Sequence, residues 1–160
     1  MRPGVLVVTF SLDGTLERLR IPAPRPARIA PALWEHTCFE AFVAMADAPA
    51  YHEFNWAPSG EWAAHAFRAY RDGRPLEDEA LAPSIAVRYP EGRLELDAML
   101  RLDHLSPAHS DAALRLALAA VVEETDGRLS YWALRHPSGR PDFHHADGFA
   151  LRLERPTGAW

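Results

Sequence analysis

The chain reads as an all-β protein, two antiparallel sheets packed face to face in a jelly-roll-like β-sandwich. Three observations carry that expectation. Apolar residues recur with a period nearer two than 3.6 through most of the sequence, the spacing of a strand and not of a helix. The apolar runs are short and end at turn-forming groups, among them Asp13-Gly14, Pro58-Ser59-Gly60, Pro90-Glu91-Gly92 and Asp126-Gly127. No stretch is both long and helix-patterned.

Taken in order, residues 5–10 form a first strand, and residues 16–21 a second across Asp13-Gly14. Arg18, Arg20, Arg25 and Arg28 then lie in a stretch free of acids that includes Pro22, Pro24 and Pro26. This reads as a solvated strand edge leading into a stiff connection, residues 22–31, that crosses from one sheet to the other. Residues 38–44 and 51–57 flank turn material at 46–49, and 62–68 follows the Pro58-Ser59-Gly60 turn. Residues 84–89 and 93–102 form a hairpin about Pro90-Glu91-Gly92. Residues 111–124 are the ambiguous element, since Asp111 can cap a helix and the alanines favour one. Leu114, Leu116 and Leu118 alternate with Arg115 and Ala117, however, and the segment runs into Asp126-Gly127, a pair suited to a tight hairpin with residues 129–135. A last strand occupies 149–153.

A chain of 160 residues, 48% of them hydrophobic, fits one domain over 1–160 that buries roughly 70% of its unfolded surface. The single cysteine, Cys38, forms no internal disulfide, so the fold tolerates a reducing cytosol. One early charge, Arg2, and an apolar run over 5–8 are too little for a signal peptide or a membrane span, which places the protein in the cytoplasm without a membrane partner. A net charge of −5 argues against nucleic acid as a partner. All seventeen basic residues are arginine, which removes lysine Schiff-base chemistry and the phosphate-loop lysine. The oligomeric state stays open.

Catalytic motifs are absent: no Gly-x-Ser-x-Gly elbow, no glycine-rich phosphate loop, no paired cysteines. His52-Glu53 begins like a zinc-protease motif, but Trp56 stands where its second histidine belongs. Two segments remain, residues 51–62 and 131–145. In the first, strand alternation puts Tyr51, Glu53 and Asn55 on one face and His52, Phe54 and Trp56 on the other. Glu40 shares the phase of Cys38 and Phe42 on the preceding strand. If the two strands pair in register, Glu40, Glu53 and Asn55 converge. Carboxylates and an amide beside flat rings suit a sugar, whose hydroxyls need acceptors and whose C–H face stacks on an aromatic. The competing reading is a polar ladder that ties strands and turns together.

In the second segment, a strand carrying Trp132 exits into a loop with His136, Asp142, His144 and His145, the concentration of polar groups that loops over a ligand often show. Adjacent histidines on an extended loop point opposite ways and rarely reach one ion, so no metal is assigned, and no cofactor. Phe143 reads as a plug in the end of the sandwich. Trp34 and Trp62 read either as core or as stacking platforms, Met45 and Met99 as core fillers, and Trp160 as incidental.

The series Leu33-Trp34-Glu35-His36-Thr37-Cys38-Phe39-Glu40-Ala41-Phe42, then Glu53-Phe54-Asn55-Trp56-Ala57-Pro58-Ser59-Gly60-Glu61-Trp62, then Tyr131-Trp132-Ala133-Leu134-Arg135-His136-Pro137 with Pro141-Asp142-Phe143-His144-His145, resembles the bacterial DOMON-like domain proteins, which are related to family 9 carbohydrate-binding modules. The resemblance spans nearly the whole chain. It implies a β-sandwich that binds sugars or, in other branches of the superfamily, haem. Trp34, Glu40, Glu53, Asn55 and Trp62 match the shared core pattern, and the acidic ones fall where family 9 modules place ion or structural contacts.

The expectation is therefore a non-catalytic module that binds a carbohydrate or glycan-derived small molecule. Glu53, Asn55, Trp62, Trp132, His136, Asp142 and His144 are its candidate ligand-binding groups, with Trp34 and Glu40 in structural or supporting roles. A haem-binding DOMON-type domain is the first alternative. An enzyme pairing Asp142 with His144 or His145 as acid and base is the second.

Overall fold

In the computed structural model, residues 4–155 are described; Arg2 and Trp160 lie outside them. With 46% of the chain in strands and 13% in short helical turns, the fold class is all-β, as the alternation predicts. Three strands form the smaller sheet: β1 (Val5–Asp13), β6 (Ser84–Arg88) and β7 (Arg93–Arg101), ordered β1-β7-β6. The larger sheet holds β2 (Cys38–Met45), β3 (Tyr51–Trp56), β4 (Trp62–Ala69), β5 (Asp72–Pro75), β8 (Leu114–Glu123), β9 (Leu129–Ala133) and β10 (Leu151–Leu153). All pairings between these strands are antiparallel. The chain crosses between the sheets three times, after β1, β5 and β7. The one α-helix among the described residues, α1 (Pro107–Asp111), precedes β8.

Alternation sorts the side chains. Phe39, Ala41 and Val43 of β2, Phe54 and Trp56 of β3, and Leu114 and Leu116 of β8 face inward against Leu6, Val8, Leu94, Leu96 and Leu100 of the smaller sheet. Within the disputed residues 111–124, Leu114–Glu123 is a strand, because the leucine alternation buries one face of β8, while Asp111 ends α1. The hairpins at Gly92 and Gly127 form as expected, both glycines taking positive φ (67° and 88°).

Two expectations need correction. Residues 16–21 are not a strand: Leu16–Arg18 is a 3₁₀ turn, because β1 does not fold back at Gly14 but pairs along its length with β7, from Val5↔Arg101 to Asp13↔Arg93. The arginines after it are not simply solvated. Arg20 Nη1 donates to buried Glu123 (3.0 Å), Arg28 Nε to buried Glu61 (2.8 Å), and Thr37 Oγ1 to the Arg20 carbonyl (2.8 Å), stapling the crossing connection across the larger sheet.

The sequence also hides β5. Its residues, Asp-Gly-Arg-Pro, are all exposed and carry no apolar alternation, so only backbone pairing with β4 defines it. Gly73 is required there, since a Cβ would lie 2.4 Å from Phe67 Cδ1 and 2.6 Å from the Ala66 carbonyl. Among the described residues, no helix is long and apolar enough to cross a membrane.

Candidate functional site

The outer face of the larger sheet is covered too, and the cover makes the site. Seven of the eight residues of β2 are buried, on both faces. The covering chain comes from residues 134–150, which leave the sheet after β9 and return at β10, and from the crossing connection that carries Trp34. Between them and the sheet lies a cavity of about 400 Å³, within the size range of small-ligand sites.

Strand register builds its floor. Glu40 lies opposite Asn55, Phe42 opposite Glu53, and Glu53 opposite His65, so Glu40, Glu53, Asn55 and His65 rise from three adjacent strands on one face. The convergence expected of Glu40, Glu53 and Asn55 is therefore present. Asn55, wholly buried, donates from Nδ2 to Glu53 Oε1 (2.8 Å) and accepts from Cys38 Sγ (3.7 Å). Asn55 fastens Glu53, as the polar ladder requires, while Glu40 and Glu53 line the cavity.

Glu40 is only 2% exposed, and its Oε1 finds no hydrogen-bond partner among the described residues. Burial, and then the neighbouring charge of Glu53, push its carboxyl well above the usual carboxylate range. Burial raises Glu53 as well, opposed by the Asn55 hydrogen bond. The buried Nδ1 of His65 is likewise unpartnered, and burial lowers the pKa of that ring. Buried polar atoms usually find partners. Both residues that carry these unpartnered atoms, Glu40 and His65, line the cavity.

Rings form the walls. Trp34, 43% exposed, stands edge-on to His65 with centroids 5.7 Å apart, and Tyr131 meets Phe143 edge-on at 6.1 Å. Ala32, with φ at 55°, opens the 3₁₀ turn Leu33–Glu35 that presents Trp34. A left-handed alanine costs of order 1–3 kcal/mol, strain that clusters at functional sites. The second non-glycine residue with positive φ, Arg71 (55°), also lines the cavity.

His144 closes one end. Its ring sits among Phe42, Tyr51 and Phe67 at centroid distances of 5.2, 5.9 and 4.9 Å, and Nδ1 shares a 2.9 Å hydrogen bond with the Tyr51 hydroxyl. Burial, reinforced by the Arg71 charge, lowers its pKa to about 4. The 3.6 Å approach of Nε2 to Glu53 Oε2 is thus not an ion pair at neutral pH.

Asp142 anchors the covering loop. Its Oδ2 accepts from the Tyr70 hydroxyl (2.6 Å), and Oδ1 from Arg71 Nη2 (2.8 Å) and the His144 backbone N–H (3.1 Å). Hydrogen bonds and charge from Tyr70 and Arg71 keep it below the ordinary aspartate value, against the opposing effect of its own burial, the largest single influence.

The remaining candidates fall elsewhere. Trp62 projects through the other side of the sheet into the sandwich core and is 1% exposed, so it cannot meet a ligand in the cavity. Trp132, 62% exposed, lies one residue out of phase with Tyr131 and faces away from the cavity, its indole N–H bonded to Ser130 Oγ (3.0 Å). His136 is exposed and packs its ring 6.2 Å from Phe143, outside the cavity lining. Asp142 does not pair with an imidazole: His144 bonds it through the backbone, and His145 turns outward to Asp147. Phe143 is a wall and not an end plug. Met99 is exposed on β7, whereas Met45 packs against the core as expected.

Sequence reasoning missed His65, Phe67 and Arg71. The first two share the phase of Ala63 on β4, so counting that strand against Glu53 identifies them. Arg71 belongs to a turn that no pattern announced.

No family model and no curated protein matches the chain. Among solved structures it is similar to a crystal structure from Bacteroides uniformis provisionally named a carbohydrate-binding protein, at 14% identity, TM-score 0.59, over 90% of this chain and 69% of that one. At that identity the likeness speaks for the sandwich fold.

Proposed function

We propose that the chain is a non-catalytic binding module for a small carbohydrate or glycan-derived molecule, held in the cavity between the larger sheet and residues 134–150. One observation carries the reading: a cavity of about 400 Å³ whose floor presents buried carboxyls, one with an unpartnered oxygen, and whose walls are aromatic. Glu40 and Glu53 would hold hydroxyls, Trp34 and Tyr131 would take the C–H faces of the ring, and His65 Nδ1 would add a polar contact. Asn55, Asp142 and His144 act through what they position. The provisional name of the Bacteroides protein, which shares this sandwich, supports the same reading. A cytoplasmic setting belongs to the proposal as well, and the buried, unpaired Cys38 is compatible with it.

Calorimetry and thermal shift against a panel of mono- and oligosaccharides test the reading. A saccharide should raise the melting temperature of the wild type, and Trp34→Ala or Tyr131→Ala should each weaken binding by about 1 kcal/mol, roughly fivefold. Flat responses across the panel from well-folded protein would refute it.

A further inference from the structure

The floor of the cavity is chemically biased in a way that a neutral sugar does not exploit. Glu40 and Glu53 bring two carboxyls to one buried surface from adjacent strands. The positive charge that acts on this pair is that of Arg71, which lowers Glu53 against the effect of its burial. Asn55 and Cys38 are uncharged, and Glu40 Oε1 has no partner among the described residues. The His144 ring is wedged among three aromatic rings and already bonded to Tyr51. Arg71 is the only arginine among the described residues lining the cavity, and its guanidinium is held by Asp142 and Tyr70.

A hydroxyl offers such a floor one proton. A primary ammonium offers three N–H donors and a full charge, and charge-assisted hydrogen bonds are about twice as strong as neutral ones. The rings of Trp34 and Tyr131 line the same cavity, and a cation set over an aromatic ring is favoured over a neutral group of the same volume.

We infer that the cavity takes a saccharide bearing a protonated primary amine, an amino sugar, with the ammonium set between Glu40 and Glu53. This rests on the saccharide reading and narrows it. Burial of both carboxyls, with the Glu53 charge acting on Glu40, favours a proton on this pair in the free protein. The incoming ammonium displaces that proton to solvent, so one positive charge enters the floor as another leaves. N-acetylation, which removes the charge and adds bulk, abolishes the advantage.

Calorimetry with glucosamine, glucose and N-acetylglucosamine near neutral pH tests the inference. Glucosamine should bind at least about tenfold more tightly than either neutral sugar, equivalent to about 1.4 kcal/mol. Its binding heat should change with the ionisation enthalpy of the buffer, the mark of proton release. Glu40→Gln, of nearly the same shape, should collapse the preference. The buffer comparison needs only wild-type protein and so decides the matter even if that variant folds poorly. Equal or tighter binding of glucose or N-acetylglucosamine overturns the amine assignment and leaves the saccharide reading standing, as does glucosamine binding with no buffer dependence. No binding of any sugar in the wider panel by folded protein overturns both.

Discussion

Acidification should reveal how tightly the covering loop is seated, through His144. In the fold its ring titrates at about 4, against 6.5 for an unperturbed imidazole, because burial opposes the charge. The folded protein therefore refuses a proton that the unfolded chain accepts. The stability this ring contributes is intact above 6.5 and is lost as pH falls toward 4. At about 1.36 kcal/mol per pKa unit, the difference between pH 7 and pH 5 is at most about 2 kcal/mol, and the partial exposure of the ring reduces it to about 1–2 kcal/mol. His52, which burial and the neighbouring His109 lower to about 4, tilts stability the same way. Glu40 and Glu53, raised by burial, tilt it the other way, since folding costs least when they are protonated. The wild-type slope is a sum of opposing parts, and only a comparison isolates one of them. Urea melts of wild type and His144→Gln at both pH values make that comparison. Glutamine keeps a polar partner for Tyr51 but cannot be protonated, so the variant should lose about 1–2 kcal/mol less on acidification. Equal losses in the two proteins would refute the buried, neutral histidine.

Trp62→Ala separates core from site: it should destabilise the fold by about 3–5 kcal/mol, while the folded fraction binds saccharide with unchanged affinity, as urea melts and calorimetry would show. Asp142→Ala removes three hydrogen bonds at the base of the covering loop and should cost about 1–3 kcal/mol. Limited proteolysis should then cut within residues 134–150 sooner than in wild type; an unaltered pattern would mean that the loop is held by its aromatic contacts alone.

Much of this was legible in the sequence wherever one face of a strand meets the core. Leucine alternation at Leu114, Leu116 and Leu118 decided β8 against the helix propensity of its alanines, because burying that stripe outweighs propensity. The phase of Glu40 against Glu53 and Asn55 survived intact, since a one-residue slip would have turned every apolar residue outward. What failed was the placement of two aromatic candidates. Trp62 and Trp132 are aromatic in the right segments, but parity sends the first into the core and the second away from the cavity. The cover over the polar residues of β2 and β3 was not legible, because no local pattern announces that residues 134–150 fold back over them. That cover depends on contacts such as Asp142 with Tyr70 and Arg71, about seventy positions apart, which no periodicity encodes.

β9 and β10 share a single edge of β8, β9 running along Ala119–Glu123 and β10 along Leu114–Leu116, with the covering loop leaving at the junction. Both ends of the loop are fixed by the same strand, and neither depends on what lies between. Between those ends the segment still packs Phe143 and Phe149 against Phe42, Tyr51 and Ala119 and bonds Tyr51, Tyr70 and Arg71, so changes at exposed positions such as Arg140 disturb the sheet least.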